Sequence, residues 1–358
     1  MGSERGSPLA RYLFAAYVVL VAYASLHPFS GWRDQGLSPL AFLGAAWPRY
    51  VTGFDIAANL AAYFPLGALG VIALHPGVRG PAALIVATLG AALVSLLVES
   101  AQTFLPSRIP SNVDFACNIA GAALGAVSGL RASSWLLGSG PLRRSRDDLV
   151  MPGALADAGL VLLALWLFIQ LDPTTLLFGA GDLRHWLQAE PGRERLPEYF
   201  VTVESLIAGA NVLATALLAT AIVRPGAPAR MVLAGLVLSA LAVRTVAFAI
   251  LMRAENVLAW LTTGAQQGLV TGLALALLAL YLPRTLRLVL AAVLLMAATV
   301  LVNLAPPNPY TAAMLKVWEQ GHFLNFNGLT RLVASLWPFA AIGYAMALAA
   351  RSGRGSVG

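Results

Sequence analysis

Cysteine, lysine and charge are what this chain has least of. A single cysteine, Cys117, sits inside an apolar run, which excludes an intramolecular disulfide framework and a cysteine-based metal site. Lys316 is the one lysine, so the chain's cations are arginines. Charged residues make up 11% of the chain and apolar ones 59%, whereas a water-soluble domain carries about 25% charge. Also missing are a metal-ligand set, a nucleophile–base pair and a phosphate-cradling glycine loop. Neither a metal nor a cofactor is expected.

What remains is a succession of long apolar runs. Ten of them approach the roughly 20 residues that span a bilayer as helix, near 9–27, 55–75, 81–104, 113–131, 149–171, 201–223, 230–252, 257–282, 285–304 and 329–350. They are too long and too continuously apolar for strands of a membrane barrel, and helices satisfy their own backbone in lipid. The expected fold class is all-α, a polytopic membrane helical bundle of about ten transmembrane helices. The first run lacks a small-residue cleavage site and reads as the first span rather than a signal peptide.

The net charge of +7 does not point to nucleic acid, because the arginines are dispersed in short loops, where they report orientation. The densest cluster, "LRRSRDD" at 142–148, places both termini in the cytoplasm. It also marks the best internal boundary: a four-helix domain over 1–137, a basic cytoplasmic linker over 138–148 and a second membrane domain of about six helices over 149–358. Between spans, 172–200 is expected to hold a short interfacial helix near "DLRHWLQ", and 305–328 carries "GHFLNFNG". The likeness of "DFACNIAGAALG" to "WLTTGAQQGLVTG" rests on small residues, and we read it as a packing device, not a duplication.

The polar residues of the first half gather at one set of span ends. On the expected outer side lie His27 at the end of the first span, Asp55 and Asn59 opening the second, and Glu99 and Gln102 closing the third. Arg108 follows in the next loop, and Asp114 and Asn118 open the fourth. Asp55–Asn59 and Asp114–Asn118 are i,i+4 and Glu99–Gln102 is i,i+3, so each pair shares a helical face. Three such faces turned inward would make a cup beneath "LPSRIPS", with Arg108 able to pair a carboxylate or an incoming phosphate.

Blander roles compete for each residue. Asp55 and Asp114 suit the first turn of a helix, where the macrodipole favours an anion. Asn59 and Asn118 are ordinary hydrogen-bonding glue between helices. Glu99 is harder to dismiss, because an anion near a helix C-terminus opposes the macrodipole; it needs a partner, and Arg108 is the nearest cation in sequence. Gly121, Gly125 and Gly129 permit close helix approach, and Pro65 is expected to break the second span. In the second half, Arg244 with Glu204 reads as a buried pair, Asn211, Gln266 and Gln267 add scattered polarity, and Asn327 with Gly328 reads as a helix start near His322, Asn325 and Arg331.

Taken in order, "D-I-x-x-N" at 55–59, "F-P-L-G" at 64–67, "V-E-S-x-Q" at 98–102, "L-P-S-R" at 105–108 and "D-x-x-x-N-x-x-G-x-x-x-G" at 114–125 resemble the signature of the VanZ-like family. "SLHPFSGWR" at 25–33 is similar to the family's first loop. The resemblance covers about residues 10–131 and leaves the C-terminal half unassigned. It implies a multi-pass protein of the bacterial inner (cytoplasmic) membrane, Asp55, Asn59, Glu99, Gln102, Arg108, Asp114 and Asn118 as family positions, and a link to glycopeptide tolerance through a founding member with a much shorter C-terminal half.

Three functions stay open on the sequence. The chain binds or transports a lipid or cell-wall-precursor headgroup at an outward polar site, with membrane lipids or a lipid-linked glycan as partners. Alternatively, it is a membrane-embedded enzyme using Glu99 and Asp114 as an acid–base pair on a lipid-linked substrate, or a scaffold whose polar residues only hold helices together. Catalytic residues and oligomeric state are not given by the sequence.

Overall fold

The structure is a computed structural model that describes residues 7–27, 29–48, 50–136, 140–187, 195–251, 257–308 and 324–354. Among them it is helical, with one isolated bridge between Val150 and Val223. Among the described residues eight helices are long and apolar enough to cross a membrane, and the other two of the ten expected spans hold shorter apolar helices. The chain forms two compact units, Met1–Asp148 and Leu149–Gly358, described separately below.

The first unit comprises α1 (Pro8–Leu26), α2 (Gly53–Leu74), α3 (Gly80–Gln102), α4 (Asn112–Leu136) and the basic α5 (Pro141–Leu149). Its tightest packing is α2 on α4. Gly121, Gly125 and Gly129 lie against the backbone carbonyls of Leu60, Phe64 and Ala68; even at Gly129 a Cβ would sit 2.6 Å from the Ala68 oxygen. In lipid, apolar burial does not drive helices together, so backbone approach of this kind is what holds them. Pro65 does not break α2, which runs through it. A proline inside a helix removes the donor of the carbonyl four residues earlier, here Ala61, and the Tyr17 hydroxyl donates to the neighbouring Ala62 carbonyl at 2.9 Å.

Charge is sorted between the ends of this unit. Arg11, Arg79 and Arg131 stand where α1 and α3 begin and α2 and α4 finish, and Arg143, Arg144 and Arg146 follow on α5. The opposite end holds Asp34, Asp55, Glu99 and Asp114 with Arg33 and Arg108.

The second unit comprises α6 (Ala154–Ile169), the single turn α7 (Arg184–Leu187), α8 (Pro197–Ala221), α9 (Ala229–Leu251), α10 (Thr263–Ala279), α11 (Arg284–Leu304) and α12 (Leu324–Arg354). Central α8 has 72% of its span window buried and packs most closely on α10 and α11. Gly264, Gly268 and Gly272 of α10 meet the carbonyls of Val201, Ser205 and Gly209 of α8, the same close-approach device as in the first unit. The small-residue likeness in the sequence therefore marks two tight helix pairs.

The spans expected at 149–171 and 257–282 are shorter as helices. At about 1.5 Å per residue, the 16 residues of α6 and 17 of α10 reach roughly 25 Å, less than a hydrocarbon core of ~30 Å. Beyond α6 the chain continues as a buried non-helical stretch in which Gln170, Asp172, Leu177 and Phe178 are all inaccessible. The predicted interfacial helix is the single turn α7, tied down by an Arg184–Asp182 ion pair and an Arg184 bond to the Ala305 carbonyl. α12 begins at Leu324, ahead of the expected start at Asn327. His322 lies outside the described residues, as do the side chains of Asn325 and Asn327.

Candidate functional site: a two-tier polar cluster in the first unit

The upper tier forms where α2 begins, α3 ends and α4 begins. Asn59 Nδ2 donates to Asp114 Oδ1 at 2.9 Å, joining α2 to α4. Glu99 Oε2 accepts from the Ser111 backbone N–H at 3.0 Å, joining α3 to the start of α4. Ser111 is the N-cap of α4, its hydroxyl accepting from the N–H groups of Val113 and Asp114. Glu99 is 4% exposed, and it and Asp114 are close enough to repel one another. Glu99, Asp114 and Asn59 are thus brought together where α2, α3 and α4 meet.

A lower tier lies one turn deeper on the same three helices, at Tyr63, Ser95 and Asn118. Asn118 Nδ2 donates to Ser95 Oγ at 2.9 Å, and the Tyr63 hydroxyl abuts Ser95. All three are buried, and Asn118 Oδ1 has no partner. The stacking follows from the α-helical repeat: Asn59–Tyr63, Ser95–Glu99 and Asp114–Asn118 are each four residues apart. Tyr63, Ser95 and Ser111 were missed in the sequence, although the four-residue offset from predicted residues and the "SNVD" capping pattern were signals for them.

The other predicted residues are placed as follows. Arg108 does not pair with Glu99: its Nη2 donates to the His27 carbonyl at 2.7 Å, and no ion pair to Glu99 or Asp114 forms among the described residues. Burial pulls the Arg108 guanidinium below its ordinary pKa, and its Nε has no partner. Asp55 closes a capping box with Thr52, accepting from its backbone N–H at 3.1 Å and its hydroxyl at 2.6 Å, which is the end-cap role weighed for it. It still lies close enough to Asp114 for their charges to repel. Gln102 donates to the Ser25 carbonyl at 2.8 Å, so it ties α3 to α1 rather than facing the cluster with Glu99.

The connection from α1 to α2 is lashed over this end. Arg33 N–H donates to the Phe104 carbonyl (2.9 Å), Gln35 to the Thr103 carbonyl (2.7 Å) and Asn112 to the Ala45 carbonyl (2.7 Å). Phe42 is buried edge-on against Phe115 with ring centroids 6.1 Å apart. His27 contributes its carbonyl to Arg108 and its ring to Tyr23, at 5.7 Å.

In the second unit the expected Arg244–Glu204 pair is not a direct bond. Arg244 is inaccessible, lies over the Phe248 ring and donates to the carbonyls of Asp172 and Thr175 and to the Thr175 hydroxyl. Asp172 in turn accepts from Thr174 and Thr330. Non-helical backbone at membrane depth must be satisfied by protein, and Arg244 does this for the stretch after α6. Asn211 donates within its own helix to the Ile207 carbonyl, and Gln266 and Gln267 are exposed.

The fold and this cluster define a multi-pass helical membrane protein with a buried carboxylate site at one end of its first unit. Residues 11–132 match the model of the VanZ/LLP1 family, a match that covers α1 to α4 and no part of the second unit. No curated protein and no solved structure matches the chain. Among the described residues no group of three or more His, Cys, Asp or Glu is placed to hold a metal ion.

Proposed function

We propose that the first unit binds the headgroup of a membrane lipid or of a lipid-linked cell-wall precursor, in a protein of the bacterial inner membrane whose cluster faces outward. The reading is carried by Glu99. It is a carboxylate 4% exposed, set against the macrodipole at the end of α3 and held by one backbone N–H beside a second carboxylate. Charges in such places are expensive, and by default they mark a site. Arg108, with its unpartnered Nε, gives the loop above a contact for a phosphate. A role in glycopeptide tolerance follows if the bound headgroup is that of a cell-wall precursor, and transport follows if the ligand crosses the bilayer.

A scaffold reading is favoured by the Asn59–Asp114 and Asn118–Ser95 bonds, which knit α2, α3 and α4 together. Native mass spectrometry of the protein extracted with its own lipids separates the two, comparing wild type with Glu99→Gln and Arg108→Ala. The binding reading expects a specific lipid or lipid-linked glycan that both variants lose while keeping the wild-type thermal midpoint. The same lipid profile in all three proteins would leave the scaffold.

A further inference from the structure

We infer that the connection between α1 and α2 lies in the headgroup layer of the bilayer, so that its partner is the lipid surface. This placement does not depend on what the polar cluster binds. Residues 35–48, "QGLSPLAFLGAAWP", hold no charged side chain, whereas a water-soluble domain is about 25% charged. Large apolar side chains stand outward along this stretch and just past it. Leu37, Leu40 and Leu43 are exposed, and Trp47 and Tyr50 are 80% and 93% exposed. Trp32 is exposed too, and its indole N–H is spent on the Phe29 carbonyl at 2.9 Å, which leaves an apolar outer face. Exposed apolar groups gathered in this way mark contact with a protein or a membrane.

Depth selects the membrane. The connection is tied to the ends of spanning helices at three points. Arg33 N–H and the Gln35 amide reach the Phe104 and Thr103 carbonyls just past α3, and Asn112, the first residue of α4, reaches the Ala45 carbonyl. Phe42 packs on Phe115, three residues further into α4, which is roughly 5 Å inside the helix end at 1.5 Å per residue. The 23 residues of α3 and 25 of α4 extend about 35 Å, past a hydrocarbon core of ~30 Å and short of the ~40–45 Å that includes the headgroups. A chain tied at these ends runs level with the headgroups. Leu89, Leu93 and Leu97 form an exposed, lipid-facing stripe on α3 that leads to the same end, and Trp and Tyr are the residues this layer favours.

The backbone sets the opposite limit. Apart from one 3₁₀ turn at Ala41–Gly44, the described part of the connection is irregular, and irregular backbone cannot face hydrocarbon. The headgroup layer meets both conditions: water reaches the peptide groups while the leucines and aromatic rings reach the acyl boundary. Spin-label depth measurements test this. In a Cys117→Ala background, the full-length protein carries a single spin-labelled cysteine, Leu43→Cys, Trp47→Cys or, as a mid-span reference, Leu93→Cys. Each is reconstituted in vesicles of phosphatidylethanolamine and phosphatidylglycerol, and electron paramagnetic resonance measures collisions with oxygen and with a water-soluble nickel chelate. Lipids labelled at known depths calibrate the scale.

Labels at 43 and 47 are both expected about 5–10 Å inside the headgroup boundary, and shallower than the label at 93. Nickel access as high as that of free label in buffer, at either position, puts the connection in water and overturns the inference. Few collisions with either reagent overturn it too, by showing that a second copy or another protein covers the stretch. A depth equal to that of 93 overturns it by placing the connection in hydrocarbon. These side chains are exposed, so labelling them breaks few contacts. Leu37→Cys replaces either connection variant whose thermal midpoint falls below that of Cys117→Ala.

Discussion

Ser95 and Asn118 make up a buried bond whose two ends respond differently to substitution. Replacing Ser95 by Val removes the acceptor for Asn118 Nδ2 and leaves that amide buried with no partner at either end. Stranding a buried polar group destabilises by about 1–3 kcal/mol, whereas replacing both partners by apolar groups is nearly neutral. Thermal unfolding in detergent, followed by tryptophan fluorescence, should show Ser95→Val lowering the midpoint and Ser95→Val with Asn118→Leu restoring most of it. An additive double variant would mean that the two side chains do not depend on each other. Arg244 is a second residue of this kind. Arg244→Ala strips the Asp172 and Thr175 carbonyls of their donors and should destabilise by about 3 kcal/mol or more, since hydrogen bonds to charged groups are worth ~1.5–3 each. Limited proteolysis should then cut within 170–183, and an unchanged digestion pattern would count against the bracing role.

The close helix pairs set a different kind of constraint. At Gly125 a methyl would run into the Phe64 carbonyl, backbone against backbone, while at Gly90 on α3 a methyl meets nothing within 4 Å. Gly125→Ala is expected to force α2 and α4 apart and to destabilise by about 1–3 kcal/mol, as overpacking does. Gly90→Ala should be neutral or stabilising by about 0.4–1 kcal/mol, because alanine restricts the unfolded chain. The two midpoints measured side by side check this, and equal effects would show that the ladder is not the contact holding these helices. Prising α2 from α4 would also pull Asn59 from Asp114, so lipid retention should fall in Gly125→Ala and hold in Gly90→Ala.

For the whole molecule the open quantity is direction across the membrane. The arginines of α5 and of the α2–α3 turn predict the cytoplasmic side for that end of the first unit and the outer side for the polar cluster. With Cys117→Ala as background, Ser107→Cys and Ser145→Cys are introduced singly at exposed positions. A membrane-impermeant maleimide applied to intact cells should label position 107 and spare 145. The opposite pattern would turn the cluster towards the cytoplasm and remove extracellular precursors from the candidate ligands.

The sequence by itself determined the membrane class and eight of the ten expected spans, because apolar runs of spanning length in lipid have few alternatives to helix. Its i,i+4 pairs also named the faces on which the cluster would form. Only the tertiary structure decided who meets whom. Arg108 is nine residues from Glu99, yet the loop carries it to the end of α1, while Glu99 turns inward to the start of α4. Asp55, on the same helical face as Asn59, closes a capping box with Thr52 three residues before it, since a capping box satisfies the orphan N–H groups at a helix start. Tyr63 and Ser95 are marked in the sequence only by their four-residue offset from Asn59 and Glu99; they become polar partners because the glycine ladder of α4 brings α2 against it and α3 closes on the pair. Likewise the segment after Ile169 reads as a connection outside the spans, and its burial as a series of turns depends on Arg244, more than 70 residues away. Hydropathy is a property of each segment, but hydrogen-bond partners are settled by which backbones can approach, and that is fixed when the helices pack.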